Sequence, residues 1–280
     1  MIRFYCNRRH GDGTPIIRDV DIMSYAERQL KDYRPELLEE PGKIDPVHFI
    51  EKYLGANIDF QYVYYEEGAS PIAGATVFND EDVRVFDREN QCVKDIHVDA
   101  GTIIIDNGTV ELGNEGFTRF TELHEAGHFC MHQAVYREIP GQMTLFEKSG
   151  SGTAARNVVL CKRETMEGTR KKLVTQEDFR EHQANVYAAA LEMPRRPFEN
   201  LTKSLIRQYD IGREANQMLV IPRELNYDFE VGLSRIKNDL SSAFGASLTA
   251  VEVQLRSRKF LMTETEYIRD YTMFRFRNGY

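Results

Sequence analysis

Two histidines and a glutamate stand at metal-binding spacing in the segment from Phe117 to Gln133. His124, Glu125 and His128 form the pattern His-Glu-x-x-His. In a helix, residues four apart lie on one face, about 40° apart around the axis and about 6 Å along it, so both imidazoles can bind one ion. A catalytic zinc site uses three protein ligands at about 2.0–2.1 Å for nitrogen and leaves the fourth position for water. Glu125 can then accept the proton of that water as it attacks a carbonyl.

The residues around the motif favour a buried helix. The frequencies of His and Glu in the chain give roughly one or two chances in a hundred of finding the pattern by accident. An apolar stripe accompanies the motif: Phe120, Leu123, Ala126 and Met131. Gly127 costs about 1 kcal/mol of helix propensity, which close packing at that position would explain. The alternative is a surface helix that carries two histidines.

The third ligand must come from another element. His132 lies eight residues beyond His124, about 12 Å along the helix, which is too far for the same ion. Its expected role is structural, or a contact with a ligating histidine. The segment that offers a carboxylate instead is the predicted second helix near residue 181.

The segment from Thr175 to Pro194 is predicted to form this second helix. Thr175 and Asp178 resemble a capping box, and Pro194 ends the helix. Glu181 shares a face with small alanines that would let the two helices approach closely, so it is the predicted third ligand. Asn185, one turn later, could hydrogen-bond an active-site histidine and fix its tautomer. The alternative for Glu181 is a solvated helix carboxylate.

These motifs resemble the ImmA/IrrE family of zinc metallopeptidases. The matching segments are Arg119-Phe120-Thr121, His124-Glu125-Ala126-Gly127-His128, His132, Glu181-His182-Gln183-Ala184-Asn185-Val186-Tyr187-Ala188 and Leu191-Glu192-Met193-Pro194. The resemblance implies that His124, His128 and Glu181 bind Zn²⁺ and that Glu125 is the catalytic glutamate. Tyr187 stands where Phe is usual and Glu192 where Leu is usual, and the stretch between Gln133 and Thr175 is long, which bears on the shape of the substrate.

The expected fold is α+β. Strands are predicted at Asn57–Tyr65, in a hairpin of Ile72–Phe78 and Val83–Phe86, and at Thr102–Asp106, after helices at Asp19–Tyr33 and Pro46–Leu54. A small curved mixed sheet would pack on the His-Glu-x-x-His helix, as in zincin-like metallopeptidases. By resemblance, Thr102–Asp106 would be an edge strand along the cleft with which an extended peptide could pair. A sheet edge without a ligand is the alternative.

The catalytic domain is predicted to span residues 1–194, and a helical subdomain residues 195–280. Between the two metal-bearing helices, Ser149–Thr153 is predicted to be a flexible loop, and Asn157–Lys162 with Lys171–Val174 a hairpin that borders the cleft or is a surface excursion. In the subdomain, Ser234–Phe244 and Leu248–Arg256 flank a glycine turn with a helix-turn-helix outline. A helical pair that covers the catalytic core would show the same pattern.

Composition indicates an ordinary cytoplasmic protein. The chain has 280 residues, 41% of them hydrophobic and 29% charged, with no apolar run long enough to span a membrane. Cys6, Cys92, Cys130 and Cys161 are scattered, which favours reduced, partly buried thiols over a disulfide framework or a structural zinc site. Residues through Pro194 include 22 basic and 33 acidic side chains, and later residues 14 and 11, so DNA binding is unlikely.

The residues and the resemblance together favour a cytoplasmic zinc endopeptidase. The resemblance implies a protein substrate, typically a helix-turn-helix repressor whose cleavage derepresses a mobile-element, toxin-antitoxin or stress operon. Two alternatives stay open: a metal-stabilised regulator that binds a repressor without cutting it, and a DNA-binding transcription factor. The side chain that stabilises the oxyanion is left open between Tyr136, Tyr187 and His132. The sequence does not determine the oligomeric state or the metal bound in the cell.

Overall fold

The computed structural model describes residues 1–136, 158–162, 173–212, 218–224 and 226–270 of a mixed α/β protein. Its helices are α1 Asp19–Tyr33, α2 Pro46–His48, α3 Asn107–Glu111, α4 Glu115–Met131, α5 Gln133–Tyr136, α6 Gln176–Glu192, α7 Arg195–Tyr209, α8 Tyr227–Phe244 and α9 Leu248–Ser257. Its strands are β1 Asn57–Gln61, β2 Ile72–Val77, β3 Glu81–Asp87, β4 Cys92–Val98, β5 Thr102–Asp106, β6 Val158–Lys162, β7 Leu219–Ile221 and β8 Leu261–Thr263. None of the helices in these ranges is long and apolar enough to cross a bilayer.

The helix ends follow the capping signals in the sequence. Asp45 accepts a hydrogen bond from the backbone of His48 at the start of α2, which continues as a π-helical turn and ends at Gly55 with φ of 69°. The capping box of Thr175 and Asp178 begins α6. The predicted helices Asp19–Tyr33, Pro46–Leu54 and that after Thr175 are confirmed. Side-chain caps satisfy backbone groups at the start of the last two, whereas α1 begins after Arg18 without a side-chain cap.

The main sheet is small and mixed, with strand order β1-β5-β2-β6. β5 is parallel to β1 and antiparallel to β2, and β2 is antiparallel to β6. The prediction that Thr102–Asp106 is an edge strand is wrong, because β5 lies inside the sheet. Its side chains are covered on both faces: Ile103 and Ile105 join the core under the helices, and Ile104 joins a core under β3 and β4.

The predicted hairpin of Ile72–Phe78 with Val83–Phe86 is also wrong. β3 pairs with β4 instead, from Glu81 opposite Val98 to Asp87 opposite Cys92. The Asp87 carboxylate accepts hydrogen bonds from the backbone of the next residues, Glu89 and Asn90, and so forms the turn. β4 is mostly exposed, so it lacks the alternating apolar pattern that identifies a half-buried strand.

Small residues let α4 and α6 pack closely in front of the sheet. A Cβ atom at Gly127 would lie 3.1 Å from the Cα atom of Ala184 and 3.1 Å from Cδ1 of Tyr187. Ala184 and Ala188 are fully buried on the facing side of α6. The close approach explains the helix-weakening glycine in α4 and brings the polar faces of the two helices together.

The helices after Pro194 build a second core, which includes Phe198, Leu205, Ile236, Leu240, Phe244, Val251 and Leu255. The predicted turn between two helices is present: Gly245 ends α8 with φ of 73°, and Ser247 caps α9. This turn lies against the start of α4, where a Cβ atom at Gly116 would be 2.4 Å from the backbone nitrogen of Ser247. The turn between α8 and α9 therefore packs against the first turn of the helix that carries the histidines.

Glu192 at the end of α6 should make stability depend on pH. Its side chain is 1% exposed, and neither carboxyl oxygen has a hydrogen-bond partner among the described residues. Burial raises its pKa from 4.5 to about 8, although Arg119 partly opposes this. The folded state thus holds the proton more tightly than the unfolded chain, so the contribution of Glu192 to stability is lost as the pH rises from about 4.5 to about 8.

Glu192→Leu is therefore expected to stabilise the protein more at pH 8 than at pH 5, by at most about 4 kcal/mol. Urea unfolding of both proteins at the two pH values measures the difference. Glu177→Gln, an exposed carboxyl on the same helix, is the control and should not change it. An equal pH dependence in the Glu192→Leu protein would contradict the assignment.

Candidate metal centre

The structure brings the predicted ligands from two helices to one point. His124 and His128 come from α4, and their Nε2 atoms are 3.1 Å apart. Glu181 comes from α6, with Oε2 at 3.4 Å from His124 Nε2 and Oε1 at 3.3 Å from His128 Nε2. Both histidines are fully buried, and the Glu181 side chain is 14% exposed. These three side chains, together with the sulfur of Cys161, could hold a metal ion.

The spacing of these atoms fits a tetrahedral ion. A zinc ion with bonds of about 2.0–2.1 Å holds its nitrogen and oxygen ligands about 3.3 Å apart. The three observed separations, 3.1, 3.3 and 3.4 Å, lie close to that value. Two imidazoles and a carboxylate are also the ligand types that Zn²⁺ accepts. The donor set therefore fits zinc, although other divalent metals accept the same groups.

Asn185 fixes the orientation of His124. Its side-chain oxygen lies 2.9 Å from Nδ1 of His124 and accepts the hydrogen bond. With the proton on Nδ1, the lone pair of His124 is on Nε2, which is the atom that faces Glu181. The contact predicted for Asn185 is thus present, and it holds the imidazole in the tautomer that binds a metal.

A chain of hydrogen bonds fixes the orientation of His128. Gln183 donates to the backbone oxygen of Pro15 at 2.8 Å, so its side-chain oxygen accepts from His132 Nε2 at 3.0 Å. His132 Nδ1 then accepts from His128 Nδ1 at 3.0 Å, which leaves the lone pair of His128 on Nε2. Burial lowers the pKa of His132 well below its usual value, and nearby His128 lowers it further, which suits a neutral ring. His132 therefore contacts a ligand, one of the two roles expected for it.

The charges at the centre are strongly coupled. Burial would raise the pKa of Glu181, but His128 and His124 hold it well below the usual range of a carboxyl group. Burial would lower the pKa of His124, but the Glu181 carboxylate more than offsets this and raises it. The buried carboxylate of Glu181 thus favours positive charge at the centre. A cation site has the same electrostatic requirement.

Glu125, which is not one of the candidate ligands, faces β2. The hydroxyl of Thr76 donates to Glu125 Oε2 at 2.7 Å, while Oε1 has no hydrogen-bond partner among the described residues. Burial raises the pKa of Glu125, and His128 and His124 reduce this effect. A Cβ atom at Gly74 would lie 2.8 Å from Oε1, so only glycine leaves room for the carboxyl group there. A fixed carboxyl group of raised pKa is suited to accept a proton.

The sequence did not predict that Cys161 lies beside the candidate metal ligands. The prediction treated it as a scattered thiol, whereas its sulfur lies within 4.8 Å of the ligand atoms of both histidines and Glu181. Burial raises the pKa of this thiol well above its usual value, and Glu125 and Glu181 raise it further. Thr76 and Gly74 were also missed, because they reach the centre from a distant strand and no local spacing identifies them. Gln183 lies two residues from Glu181 in the predicted helix, but its hydrogen bond with His132 was not predicted.

The candidates for oxyanion stabilisation separate in the structure. Tyr187 does not face the candidate metal centre, because its hydroxyl is buried against α1, where it donates to Gln29. His132 is held in the hydrogen-bond chain on the side of His128 away from Nε2. Tyr136 packs on Phe78 with ring centroids 5.0 Å apart, and burial raises its pKa to about 12. Arg180, the residue before Glu181, has its guanidinium carbon 5.3 Å from the centroid of the Tyr136 ring, so Tyr136 is the candidate near the ligands.

The predicted loop at Ser149–Thr153 lies outside the described residues, as do the first two residues of the strand predicted at Lys171–Val174. Its other two residues are described and are not in a strand. The other half of that predicted hairpin is described as β6, which pairs with β2. A segment between the two metal-bearing helices therefore contributes to the main sheet and, through Cys161, to the metal centre.

Gln183→Leu should weaken metal binding without removing a ligand. Leucine keeps the size of the side chain but leaves His132 without its acceptor, so His128 is no longer held in one tautomer. Loss of such an outer contact typically costs about 10–100-fold in metal affinity. Competition with a chromophoric chelator measures the change, and Gln176→Leu at the start of the same helix serves as the control. Unchanged metal affinity in the Gln183→Leu protein would show that the chain of hydrogen bonds through His132 does not orient His128.

No protein-family model, curated protein or solved structure matches the chain. The fold and the site nevertheless define a class: a mixed α/β protein in which two helices and a small sheet enclose a buried candidate metal centre.

Proposed function

We propose that the protein is a zinc-dependent endopeptidase with a zincin-like fold, of the kind found in the ImmA/IrrE family. The observation that supports this most is the meeting of His124, His128 and Glu181 within 3.1–3.4 Å, with Glu125 buried beside them on α4. A metal site alone would not need an unbound buried carboxyl group next to a ligand. Such a group is the general base that this class of peptidase requires.

The residues have distinct tasks in the proposed reaction. Bound zinc would polarise the scissile carbonyl and lower the pKa of water toward about 7. Glu125 would accept the proton of the attacking water at Oε1, the oxygen without another hydrogen bond among the described residues, and then give it to the leaving amine. Thr76 would hold the other oxygen, and Asn185 and His132 would keep both imidazoles in the ligating tautomer.

The proposed substrate is a cytoplasmic helix-turn-helix repressor, cleaved to derepress a mobile-element, toxin-antitoxin or stress operon. The support for this is the resemblance of the motifs. The free thiols of all four cysteines suit a reducing compartment. The acidic excess through Pro194 gives the catalytic part little affinity for phosphates, so a protein is a better substrate than a nucleic acid.

Incubation of the zinc-loaded protein with a candidate repressor, with and without a chelator, tests this function. Mass spectrometry should find two fragments from one cleavage site, and the chelator should prevent their formation. Intact repressor under both conditions, with zinc shown to be bound, would contradict the peptidase proposal.

A regulator that binds a repressor without cutting it is the second candidate. The burial of the centre and the presence of a fourth possible ligand, Cys161, favour this alternative, because closed four-ligand zinc sites are usually structural. Stable complex formation in the same incubation, without fragments, would support it. DNA binding has less support, since the turn between α8 and α9 lies against Gly116 of α4.

A further inference from the structure

β6 occupies an edge of the sheet beside the catalytic residues. It pairs antiparallel with β2, the strand that carries Gly74 and Thr76 against Glu125. Cys161 stands opposite Gly74 in this pairing. Because Glu125 Oε1 lies against Gly74 and has no hydrogen-bond partner by distance in the described parts of the chain, the oxygen that would act as the base adjoins the position of Cys161.

The sulfur of Cys161 has the position of a fourth ligand. With a zinc–sulfur bond of about 2.3 Å, a thiolate in a tetrahedral site lies about 3.5 Å from the nitrogen and oxygen ligands. Cys161 Sγ is 3.8 Å from Glu181 Oε1, and all four ligand atoms lie within 4.8 Å of one another. The side chain is fully buried, so the sulfur stands on the protein side of the ligands, where a catalytic zinc site would otherwise leave a position for water.

β6 also fills the position of an extended substrate. A peptide that binds by strand addition needs a free row of backbone groups on a sheet edge. On the side of β2 away from β5, the backbone groups of β2 are already paired with those of β6, from Val158 to Lys162. An extended substrate could pair with β2, next to Glu125, only where β6 now lies.

We propose that β6 is a built-in inhibitory strand, which closes the metal centre with the thiolate of Cys161 and blocks the edge of β2 to which the substrate would bind. This inference rests on the proposed peptidase function. Activation requires β6 to withdraw, which takes the sulfur and its electron pair from the metal and lets one water molecule enter. The thiolate then takes a proton from solvent, and no oxidant is required.

The first experiment tests thiolate ligation independently of activity. Zinc K-edge X-ray absorption of the full chain should show one sulfur neighbour at about 2.3 Å. The Co²⁺-substituted protein should show a thiolate charge-transfer band. Both signals should be absent from the Cys161→Ala and Cys161→Ser proteins, and Cys92→Ala, which removes an exposed thiol, should keep them. A spectrum without sulfur in the unaltered protein would overturn the proposal.

The second experiment tests inhibition with an unfolded protein, casein, as the substrate. If closed molecules outnumber open ones by about ten to one, Cys161→Ala should cleave about tenfold faster than the unaltered chain. Cys161→Ala combined with Glu125→Gln should not cleave. Equal rates for Cys161→Ala and the unaltered protein would overturn the inhibitory role. If sulfur ligation is present but neither protein cleaves casein or the candidate repressor, the peptidase function fails, while ligation by Cys161 is upheld.

An engineered disulfide between β2 and β6 tests the blocking role of the strand independently of the thiol of Cys161. Ala75 and Leu160 are partners in the β2–β6 pairing, at a distance that a disulfide can bridge. In the Cys161→Ala background, Ala75→Cys with Leu160→Cys should be inactive when oxidised and active after reduction, because the edge of β2 stays blocked. Full activity of the oxidised protein would show that β6 does not need to withdraw.

Discussion

Glu125→Gln is expected to abolish detectable cleavage while the protein still binds one equivalent of zinc. Glutamine has the size of glutamate and can still accept the hydrogen bond of Thr76, but it cannot take a proton from water. A general base contributes about 10²–10⁴-fold to the rate of such reactions. Fragment yield over time, together with metal analysis of the same sample, measures both quantities.

Glu115→Gln provides the matched control for this substitution. Glu115 lies at the exposed start of α4, so the same change of charge on the same helix should leave cleavage intact. If the Glu125→Gln protein cleaves at the normal rate, another group must accept the proton. Loss of zinc from that protein would instead show that Glu125 holds the site together, and the kinetic result would then carry no information about the base.

His124→Ala should lose both zinc and cleavage. His124 is one of two imidazoles from α4, and alanine leaves the lone-pair position opposite Glu181 empty. Because the folded state binds the ion and the unfolded chain does so poorly, zinc at 100 times its dissociation constant stabilises the protein by about 2.7 kcal/mol. Thermal unfolding should therefore shift upward with zinc for the unaltered protein and not for the variant.

An exposed histidine serves as the control for His124→Ala. His97 lies on β4 with its side chain 64% exposed and contacts Asp82, so His97→Ala should keep the shift with zinc. A His124→Ala protein that binds zinc with unchanged affinity would remove the proposed centre and, with it, the peptidase proposal.

The sequence by itself determined the features that depend on neighbours along the chain. His124 and His128 share a face because four residues make about one helical turn, whatever the rest of the fold does. The capping box at Thr175 and the glycine at residue 55 likewise mark helix ends through groups a few residues away. These local rules were enough to predict both helices of the candidate metal centre and to select Glu181.

Only the tertiary structure decided which strands pair and which distant side chains reach the metal centre. β5 was predicted at an edge and lies inside the sheet, and Cys161 was treated as a scattered thiol although it stands beside the ligands. Strand pairing joins residues far apart in sequence, and a shift of one residue reverses the face on which every side chain lies. The position of Cys161 opposite Gly74 is therefore set by the packing of the whole sheet, which no local pattern encodes.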